Sequence, residues 1–315
     1  MNILVLGLSN IFLRRFKFSI EKNKFIDYFD CASISKTKKD LKSFKLRNFY
    51  NSYEISIKES DAEIVYISTR NVDHYNLILK SLKYDKHVIV DKPSVINYKE
   101  ANEIFKIANK RNLCVSEAIV YKYHPQITQT KNIFLENNVK PKHISAVFTM
   151  PGFEKTNFRY YKKYGGGAIL DLGPYAMSLG SIIFESEPIS CVGYKFNDSS
   201  SEVETSFSVI IKYKAGCSLT GYFGFKTEYM NSFTAYGKDI NIKLDRVFTI
   251  PENYVNQIFV NKNNKLSKYT VATSDIFYNY LCEVINSVNN NNWKNLNQEF
   301  LNNSKLLDLL KSSLK

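Results

Sequence analysis

Two kinds of apolar segment alternate along the first 120 residues. Short, continuously apolar runs are typical of buried strands, whereas longer segments with apolar residues at every third or fourth position are typical of helices. The apolar runs cover residues 1–7, 29–34, 63–68, 87–90 and 113–116, and the helical segments include residues 10–20, 72–83 and 97–110. Strands that alternate with helices predict a doubly wound parallel sheet of the Rossmann type.

After residue 120 the pattern changes to strand after strand. Seven segments alternate apolar and polar residues or are rich in β-branched and aromatic residues: 143–150, 189–196, 204–213, 217–225, 231–236, 240–244 and 257–261. Two helical segments, 277–288 and 299–314, follow them. The fold class is therefore α/β, with a Rossmann domain over 1–120 and an α+β domain over 121–315 that has a large, mostly antiparallel open sheet. Whether the C-terminal helix packs back on the first domain is left open by the sequence.

Composition mainly excludes alternatives. With 315 residues, 44% of them hydrophobic, the chain can form two ordinary cores. Its five cysteines lack CxxC or CxxH spacing, which predicts a reducing compartment and no metal site. The N-terminal apolar run is too short for a signal peptide and no later run approaches the length of a membrane span. We therefore expect a soluble, cytoplasmic protein without a membrane partner.

The formal net charge of +13 would by itself allow a nucleic-acid partner. However, only seven of the 43 basic residues are arginines, and base-specific recognition depends on the bidentate guanidinium group. The lysines are spread along the chain. We expect a positive surface that favours small anionic ligands, and no nucleic-acid partner.

The turn after the first strand is where a Rossmann sheet binds the pyrophosphate of a dinucleotide, because the following helix N-terminus offers free N–H groups. Residues 7–12 read GLSNIF, so Ser9 and Phe12 replace two glycines of the GxGxxG pattern. Gly7 is the only glycine among the first 150 residues, which favours a requirement for its backbone freedom. An ordinary tight turn is the alternative. The cofactor-binding candidates here are Gly7, Ser9, Asn10 and Ile11.

The end of the second strand indicates which cofactor binds. NAD sites normally have an acid there to hold the ribose hydroxyls. Residues 33–36 read SISK and contain no acid. Ser35 and Lys36 would attract the 2′-phosphate of NADP that a carboxylate would repel, so NADP(H) is favoured over NAD(H). Asp27 and Asp30 remain candidates if the strand ends earlier than predicted.

Three separated motifs resemble a known family. Residues 87–93 read HVIVDKP, residues 116–125 read SEAIVYKYHP, and residues 165–175 read GGGAILDLGPY. Their order and spacing resemble the glucose-fructose oxidoreductase, inositol dehydrogenase and MocA family (Gfo/Idh/MocA). That family has a strand ending in Glu-Lys-Pro, then a Glu-Ala-x-x-x-Arg-x-His-Pro run, and later a GGGxxxDxGxY or GGGxxxDxGxH stretch. The resemblance implies an NAD(P)-dependent oxidoreductase.

The resemblance assigns roles to the first two motifs. Lys92 takes the place of the catalytic lysine, and Pro93 that of a proline often preceded by a cis bond. Lys122 stands where the family has arginine. For His74 and His124 we favour a hydrogen-bonded structural role over direct chemistry. Cofactor contacts are implied for Ser68, Thr69, Asn71, His74, Asp91, Lys92 and Glu117, and substrate contacts for Lys92, Tyr121, Lys122 and His124.

The glycine run at 165–167 stands out in a chain with twelve glycines. We expect it to let the backbone approach cofactor and substrate, and the next helical turn to project Asp171 and Tyr175 from one face. Under the resemblance Tyr175 is the catalytic proton donor to the alkoxide formed by hydride transfer, with Lys92 assisting it. Asp171 would orient substrate hydroxyls or the proton donor.

Two features of this segment leave alternatives open. Pro174 lacks an N–H, so the helix is either kinked there or starts there, in which case Asp171 is an N-terminal cap and its catalytic role weakens. Arg159 is a candidate contact for an anionic substrate, and a surface arginine is an equal alternative.

Together the motifs predict an NADP(H)-dependent oxidoreductase acting on the carbonyl or hydroxyl of a sugar or sugar derivative, by keto-sugar reduction, with nucleotide-linked sugars among the candidates. The alternatives are an aldose or trans-dihydrodiol dehydrogenase, or a non-catalytic regulator that senses dinucleotides on the same fold. The resemblance also implies a homodimer or homotetramer formed through the open sheet.

Overall fold

The computed structural model describes residues 1–198 and 201–315. The chain divides into two compact units, Met1–Ile119 with Phe277–Ser304, and Val120–Ile276 with Lys305–Lys315. Residues 277–304 thus belong to the first unit, whereas the sequence analysis places them in a second domain over 121–315. Side chains tie them there, since the Tyr280 hydroxyl donates to Ser116 Oγ at 2.9 Å and Asn297 Oδ1 accepts from the Val115 N–H at 2.8 Å.

The first unit is built on six parallel strands in the order β3-β2-β1-β4-β5-β6, the doubly wound order of a Rossmann sheet. The strands are β1 (Ile3–Leu6), β2 (Phe29–Ala32), β3 (Leu46–Tyr50), β4 (Ile64–Ile67), β5 (His87–Val90) and β6 (Val115–Glu117). Helices alternate with them: a π-helical segment (Phe12–Phe16) continued by α1 (Lys17–Lys22), then α2 (Tyr53–Glu59), α3 (His74–Lys83) and α4 (Tyr98–Lys110). The predicted fold class of this part is confirmed.

The second unit contains an eight-stranded sheet in the order β14-β13-β12-β11-β7-β10-β9-β8. All its described neighbours are antiparallel except β7 and β10. The strands are β7 (His143–Met150), β8 (Pro188–Asn197), β9 (Glu204–Tyr213), β10 (Ser218–Phe225), β11 (Met230–Gly237), β12 (Ile240–Asp245), β13 (Asn256–Lys262) and β14 (Lys265–Val271). The large, mostly antiparallel sheet is therefore confirmed.

Four further helices complete the chain: α5 (Pro125–Glu136), α6 (Ala168–Phe184), α7 (Ile276–Asn289) and α8 (Lys294–Ser313). Helix α6 packs on one face of the eight-stranded sheet, against β9 and β10. The opposite face of β8 and β9 exposes large apolar side chains, with Val192 at 51%, Tyr194 at 59% and Ile210 at 53% of full exposure. Large apolar side chains are thus exposed on this face among the residues that the structure describes.

Candidate active site

Gly7 ends β1 in a conformation that favours glycine. Its φ is +92°, and a Cβ there would lie 2.9 Å from Thr69 Cγ2 and closer still to the Ser68 carbonyl oxygen. Ser68 and Thr69 directly follow β4, the neighbour of β1 in the sheet. The close approach of these two strand ends therefore requires glycine at position 7, as the sequence analysis expected.

Ser9 caps the helix that follows this turn. Its Oγ accepts a hydrogen bond from the Phe12 N–H at 3.1 Å, and its carbonyl accepts from Leu13 N–H at 3.0 Å. Asn10 and Ile11 are exposed at the helix N-terminus, where N–H groups and the positive end of the dipole suit a phosphate. Contact of these two residues with a pyrophosphate stays a prediction.

Phe12 replaces the last glycine of the fingerprint by filling the space between helix and sheet. The side chain is fully buried, and its ring centroid lies 6.3 Å from that of Phe29 and 6.1 Å from that of Tyr66. Glycine at this position normally permits close packing of helix on strand. Here an aromatic cluster under a π-helical turn replaces that close approach.

The structure resolves the question of an acid at the end of β2. Strand β2 ends at Ala32, so Asp30 lies inside it, fully buried. Arg47 Nη2 donates to Asp30 Oδ2 at 2.6 Å and Ser60 Oγ donates to the same oxygen at 2.7 Å. Burial alone would raise the pKa of Asp30, but these hydrogen bonds hold it below its usual value. Asp30 is thus a buried structural residue whose carboxylate binds Arg47 and Ser60.

Asp27 is excluded as a ribose ligand by its position. It precedes β2 and pairs with the amino group of Met1 at 3.0 Å, whereas ligands of a parallel sheet bind beyond the carboxyl ends of the strands. Ser35 and Lys36 follow β2 at the expected edge, and both of their N–H groups donate to Ser33 Oγ, at 3.4 and 3.0 Å. The described residues at this strand end therefore present hydroxyls and a lysine.

Asp91 lies at the carboxyl end of β5 with both carboxylate oxygens hydrogen-bonded. The Tyr66 hydroxyl donates to Oδ1 and the Ser68 hydroxyl donates to Oδ2, each at 2.6 Å. Ser9 Oγ lies 2.6 Å from Ser68 Oγ, so a chain of hydrogen bonds links Asp91 to the turn after β1. Sequence reasoning named Ser9, Ser68 and Asp91 separately and missed Tyr66, whose only signal is a polar ring within the aliphatic run IVYI.

The peptide bond between Lys92 and Pro93 is cis, as the resemblance implies. His74, fully buried on α3, supports this turn: its Nδ1 lies 3.0 Å from the Pro93 carbonyl oxygen and its Nε2 lies 3.3 Å from the Thr69 carbonyl oxygen. Burial lowers the pKa of His74. A neutral imidazole has one N–H, so His74 donates to one of these two carbonyl oxygens, which is a structural role.

Two buried polar atoms at this edge have no hydrogen-bond partner among the described residues, Thr69 Oγ1 and Glu117 Oε2. Glu117 Oε1 accepts from the Ser94 N–H at 2.7 Å, and burial raises the pKa of this carboxyl although the Asn303 amide lies close enough to oppose the shift. Buried polar groups rarely stay unpaired. These two atoms therefore fit a polar cofactor along the strand ends. Asn71 is also buried; it lies two residues after Thr69, in the turn that precedes α3.

In the second unit, α6 begins at Ala168 and continues through Pro174 to Phe184. The N-terminal cap is Gly167, and Asp171 lies in the first turn. The alternative in which Asp171 caps a helix starting at Pro174 is therefore wrong. Asp171 and Tyr175, four residues apart, lie on one helical face, as expected.

The glycine run packs against the second unit itself. A Cβ on Gly166 would lie 2.5 Å from the Arg159 carbonyl oxygen, and one on Gly167, whose φ is +110°, would lie 2.9 Å from Glu204 Cδ. Glu204 Oε1 accepts from the Ile169 N–H at 3.0 Å and so satisfies the start of α6. Internal packing thus requires glycine at positions 166 and 167, and the approach of this run to cofactor and substrate stays a prediction. Glu204, which lies far along the chain, carried no sequence signal.

Arg159 and Asp171 form an ion pair, with Arg159 Nε 2.8 Å from Asp171 Oδ2. The guanidinium carbon also lies 4.9 Å from the ring centroid of Phe153 and 4.7 Å from that of Phe158. Burial would lower the pKa of Arg159, but Asp171 outweighs it, so the pKa is raised. Arg159 is therefore a paired and packed residue, which excludes the alternative of a free surface arginine.

Tyr175 is buried in an aromatic cluster. Its ring centroid lies 5.3 Å from Phe148, 5.2 Å from Phe248 and 5.9 Å from Tyr121. Tyr121 is fully buried, and its hydroxyl lies 2.8 Å from Ser178 Oγ. Tyr121 thus packs against Tyr175. Because neither its ring nor its hydroxyl is accessible, the expected substrate contact of Tyr121 is corrected to a packing role.

Lys122 and His124 line a cavity of about 580 Å³ whose other walls come from Tyr123, Pro125, Thr128, Gln129 and Asn132. His124 caps α5, since its Nδ1 accepts from the Gln126 N–H at 3.2 Å. Burial lowers the pKa of His124 to about 4. The neutral ring has a structural role, while the cavity beside it is a candidate subsite of the second unit.

Within residues 1–198 and 201–315 no group of three or more His, Cys, Asp and Glu side chains could hold a metal ion. Across the same residues, no helix has the length and apolarity needed to cross a membrane.

Comparison with known proteins agrees with the motifs. The family model described as "Oxidoreductase family, NAD-binding Rossmann fold" (GFO_IDH_MocA) matches residues 1–119, and the GFO/IDH/MocA C-terminal domain model matches residues 140–243. A dTDP-3,4-didehydro-2,6-dideoxy-alpha-D-glucose 3-reductase of Actinomadura kijaniata is 24% identical over 227 residues, 71% of this chain and 68% of that protein. A trans-1,2-dihydrobenzene-1,2-diol dehydrogenase of Xenopus tropicalis is 25% identical over 57% of this chain and 54% of that protein.

A solved structure shows the same architecture. KijD10, a 3-ketoreductase from Actinomadura kijaniata in complex with NADP and TDP-benzene, matches with a TM-score of 0.92 at 21% identity and covers 100% of this chain and 98% of that one. At such low identity the likeness establishes the fold. With both domain models matched, the chain belongs to the Gfo/Idh/MocA family of oxidoreductases.

Proposed function

We propose that the protein is an NADP(H)-dependent oxidoreductase that reduces a keto group of a nucleotide-linked sugar. The observation that carries the proposal is the segment Asp91-Lys92-Pro93 at the carboxyl end of β5, where the Asp91 carboxylate is held by two 2.6 Å hydrogen bonds. Ligands of parallel sheets bind at this edge. A non-catalytic descendant of the family would have no need to hold a lysine there.

The cofactor would lie along the strand ends of the first unit. Gly7 provides close backbone approach, Asn10 and Ile11 provide the helix N-terminus, and Thr69 and Glu117 provide buried polar atoms. The preference for NADP rests on Ser35 and Lys36 following β2 while Asp27 and Asp30 are engaged elsewhere. When bound, the nicotinamide supplies the hydride.

Proton handling is assigned to Tyr175, with Lys92 and Arg159 in support. Reduction of a carbonyl adds one hydride to carbon and one proton to oxygen, and the Tyr175 hydroxyl supplies that proton. Arg159 interacts electrostatically with Tyr175 and so stabilises the phenolate that remains. Asp171 keeps Arg159 in place through the ion pair. Lys92 polarises the carbonyl and assists the proton transfer.

The substrate class is inferred from the relatives and the charge. Three dTDP-sugar 3-reductases are 22–24% identical to this chain, over matches that cover 68–72% of each reductase. Structures of KijD10 with a tyrosine changed to phenylalanine, or a lysine changed to alanine or glutamate, contain TDP-benzene and NADP. These are the residue types that we assign here. A net charge of +13 favours a diphosphate-bearing substrate.

An oxidative reaction is the second candidate. Trans-dihydrodiol dehydrogenases of four vertebrates match 57–59% of the chain at 25–26% identity, and the same residues could serve oxidation of a trans-dihydrodiol or an aldose. The regulator alternative is favoured only by the substituted turn at Ser9 and Phe12. Because Ser9 caps the helix and Phe12 packs in the core, the turn is intact, and this favours an enzyme.

The apolar face of β8 and β9 favours a homodimer or homotetramer. Val192, Tyr194 and Phe196 of β8 share this face with Ile210 of β9, because Val192 pairs with Ile210 and side chains alternate along strands. Contiguous apolar patches of this kind mark interaction surfaces. All five cysteines are unpaired, which favours a reducing compartment, and we propose a cytoplasmic location.

The test is turnover of an enzymatically prepared dTDP-linked keto-sugar, measured as the loss of NADPH absorbance. Tyr175→Phe and Lys92→Ala should each lower kcat by about 100-fold or more while the Kd for NADPH, measured by fluorescence, stays within about threefold. The matched controls are Tyr84→Phe, a tyrosine that is 41% exposed, and Lys99→Ala, an exposed lysine on α4. Wild-type activity in both site variants would refute the assignment.

The same preparation separates the alternatives. Formation of NADPH from NADP⁺ with a trans-dihydrodiol or an aldose, without reduction of keto-sugars, would favour the oxidative reaction. Tight NADPH binding with no turnover in either direction would favour the regulator.

A further inference from the structure

Ser9, Ser68 and Asp91 form one hydrogen-bonded chain across three strand ends of the parallel sheet. Ser9 lies in the turn after β1, Ser68 directly follows β4, and Asp91 directly follows β5. Both links in the chain, Ser9 Oγ to Ser68 Oγ and Ser68 Oγ to Asp91 Oδ2, measure 2.6 Å. The dinucleotide turn is thus joined to the residue that precedes Lys92.

Counting donors gives this chain a direction. The single hydroxyl hydrogen of Ser68 is donated to the Asp91 carboxylate, which can only accept. Ser68 Oγ must therefore accept its other hydrogen bond from the Ser9 hydroxyl. Ser9 Oγ in turn accepts from the Phe12 N–H at 3.1 Å. The chain runs from the backbone of the helix N-terminus to the carboxylate.

Tyr66 anchors the other oxygen of the same carboxylate. Its hydroxyl donates to Asp91 Oδ1 at 2.6 Å, and its fully buried ring stacks on Phe16 with centroids 4.0 Å apart. Side chains that are locked by packing hold their hydrogen-bonding groups in one orientation. Both oxygens of Asp91 are therefore oriented from the core of the first unit.

We propose that Ser9 is a positioning residue for Lys92, acting through Ser68 and Asp91. The inference rests on the proposed function and deepens it, because it gives a mechanistic reason for a serine where the dinucleotide pattern has glycine. With glycine at position 9, Ser68 Oγ would lose its donor and could turn away from Asp91. The carboxylate would then be held by Tyr66 alone, and the strand end that carries Lys92 would be less defined.

The charged groups around Asp91 determine how loss of the Ser68–Asp91 hydrogen bond would change the pH–rate profile. His74 on α3 and Lys92 beside it face the carboxylate, Tyr66 on β4 donates to it, and Glu117 on β6 faces Lys92. Burial raises the pKa of Asp91, while the hydrogen bonds from Ser68 and Tyr66 and the two basic side chains oppose that rise. Loss of the Ser68 bond should raise it further. The acidic limb of the pH–rate profile should therefore move to higher pH.

Ser9→Gly is the decisive variant, because it restores the glycine of the dinucleotide pattern and removes the hydrogen-bond chain. We expect the Kd for NADPH to stay within about twofold, since glycine is well tolerated at a helix N-cap. We expect kcat with the keto-sugar to fall by about tenfold and the acidic limb to shift upward. Ser68→Ala should likewise lower kcat and shift the acidic limb upward.

The matched control is Ser52→Gly. Ser52 caps α2 through the Ile55 N–H at 3.3 Å, so this change also replaces a capping serine with glycine, but outside the chain to Asp91. It should leave kcat, the Kd for NADPH and the pH profile unchanged. Unchanged kcat and an unshifted acidic limb in Ser9→Gly would overturn the inference.

A second readout needs neither cofactor nor substrate. Labelling of Lys92 by a small amine reagent in the ligand-free protein, followed over pH by peptide mass spectrometry, measures how strongly the carboxylate favours the ammonium form. Asp91→Asn should move the labelling midpoint to lower pH, and Ser9→Gly and Ser68→Ala should move it in the same direction by less. If the wild type reduces no keto-sugar, the proposed function fails, and this measurement still decides the inference. A midpoint unchanged in both serine variants would refute it.

Discussion

Arg159 and Asp171 pair at 2.8 Å with 27% and 12% of their side chains exposed. From the sequence, Arg159 is a candidate contact for an anionic substrate or else a surface arginine, and Asp171 is expected to orient substrate hydroxyls or the proton donor. Because the two charges compensate each other, Arg159 attracts an anionic substrate less than a free guanidinium would. Asp171 holds Arg159 beside the first turn of α6, the helix that carries Tyr175.

Breaking this pair should destabilise the second unit. Asp171→Asn leaves a largely buried guanidinium without its counter-ion and should lower the free energy of unfolding by about 1–3 kcal/mol. Urea denaturation at neutral pH measures the loss. The control is Asp85→Asn, which breaks the Arg111–Asp85 pair, whose aspartate side chain is 72% exposed, and should cost less than about 1 kcal/mol. Equal losses in the two variants would contradict a special role for the first pair.

Gly167→Ala should be more harmful than other glycine substitutions in the same unit. The residue has a φ of +110° and a ψ of 147°, a region essentially limited to glycine, and a Cβ would collide with Glu204. We expect a loss of roughly 2–4 kcal/mol in unfolding free energy. The control is Gly216→Ala, where φ is +71° and a Cβ meets nothing within 4 Å. That variant should lose about 1–2 kcal/mol. A ranking in the reverse order would show that the contact with Glu204 is unimportant.

Reversing the charge beside the end of β2 should change cofactor selectivity. Lys36→Glu is expected to weaken NADPH binding by roughly tenfold or more, because a carboxylate repels the 2′-phosphate, and to leave NADH binding unchanged or tighter. Fluorescence titration with each cofactor measures both constants. Lys99→Glu makes the same charge change on exposed α4 and should alter neither. Equal weakening of NADPH by both variants would indicate a general effect of charge.

His124 should make the protein less stable in acid. Burial lowers the pKa of His124 to about 4 in the folded chain, from the ordinary histidine value of about 6.5. The unfolded chain therefore binds the extra proton first as pH falls. The stabilising contribution is complete above pH 6.5 and is lost between there and pH 4, by up to about 3 kcal/mol.

His124→Asn tests this dependence, because asparagine can also cap α5 but does not titrate. The variant should lose less unfolding free energy than the wild type when urea denaturation at pH 7 is compared with pH 4.5. Other buried histidines contribute equally to both proteins, so the difference isolates His124. Parallel losses in the two proteins would refute the assignment.

Two strands, β3 and β14, were not predicted from the sequence, and each lies at one edge of its sheet. Strand β3 pairs with β2 alone, and β14 pairs with β13 alone. The run LRNFY in β3 is half-buried, and all but the last residue of β14 are exposed. An edge strand needs little apolar surface on either face, so its sequence carries no clear alternation. Central strands such as β1 and β4 are buried along their whole length, and their apolar runs predicted them.

The sequence alone determined the fold class, the family and most of the candidate residues, because buried strands and motif residues leave local patterns of composition and spacing. Tertiary structure alone decided which partners these residues have. Arg47 holds Asp30, Tyr66 holds Asp91, and the Glu204 side chain occupies the space that a Cβ on Gly167 would need; these partners lie 17, 25 and 37 positions away in the chain. Hydrogen bonds and steric contacts act over a few ångströms, and only the folded sheets bring such distant positions within that range.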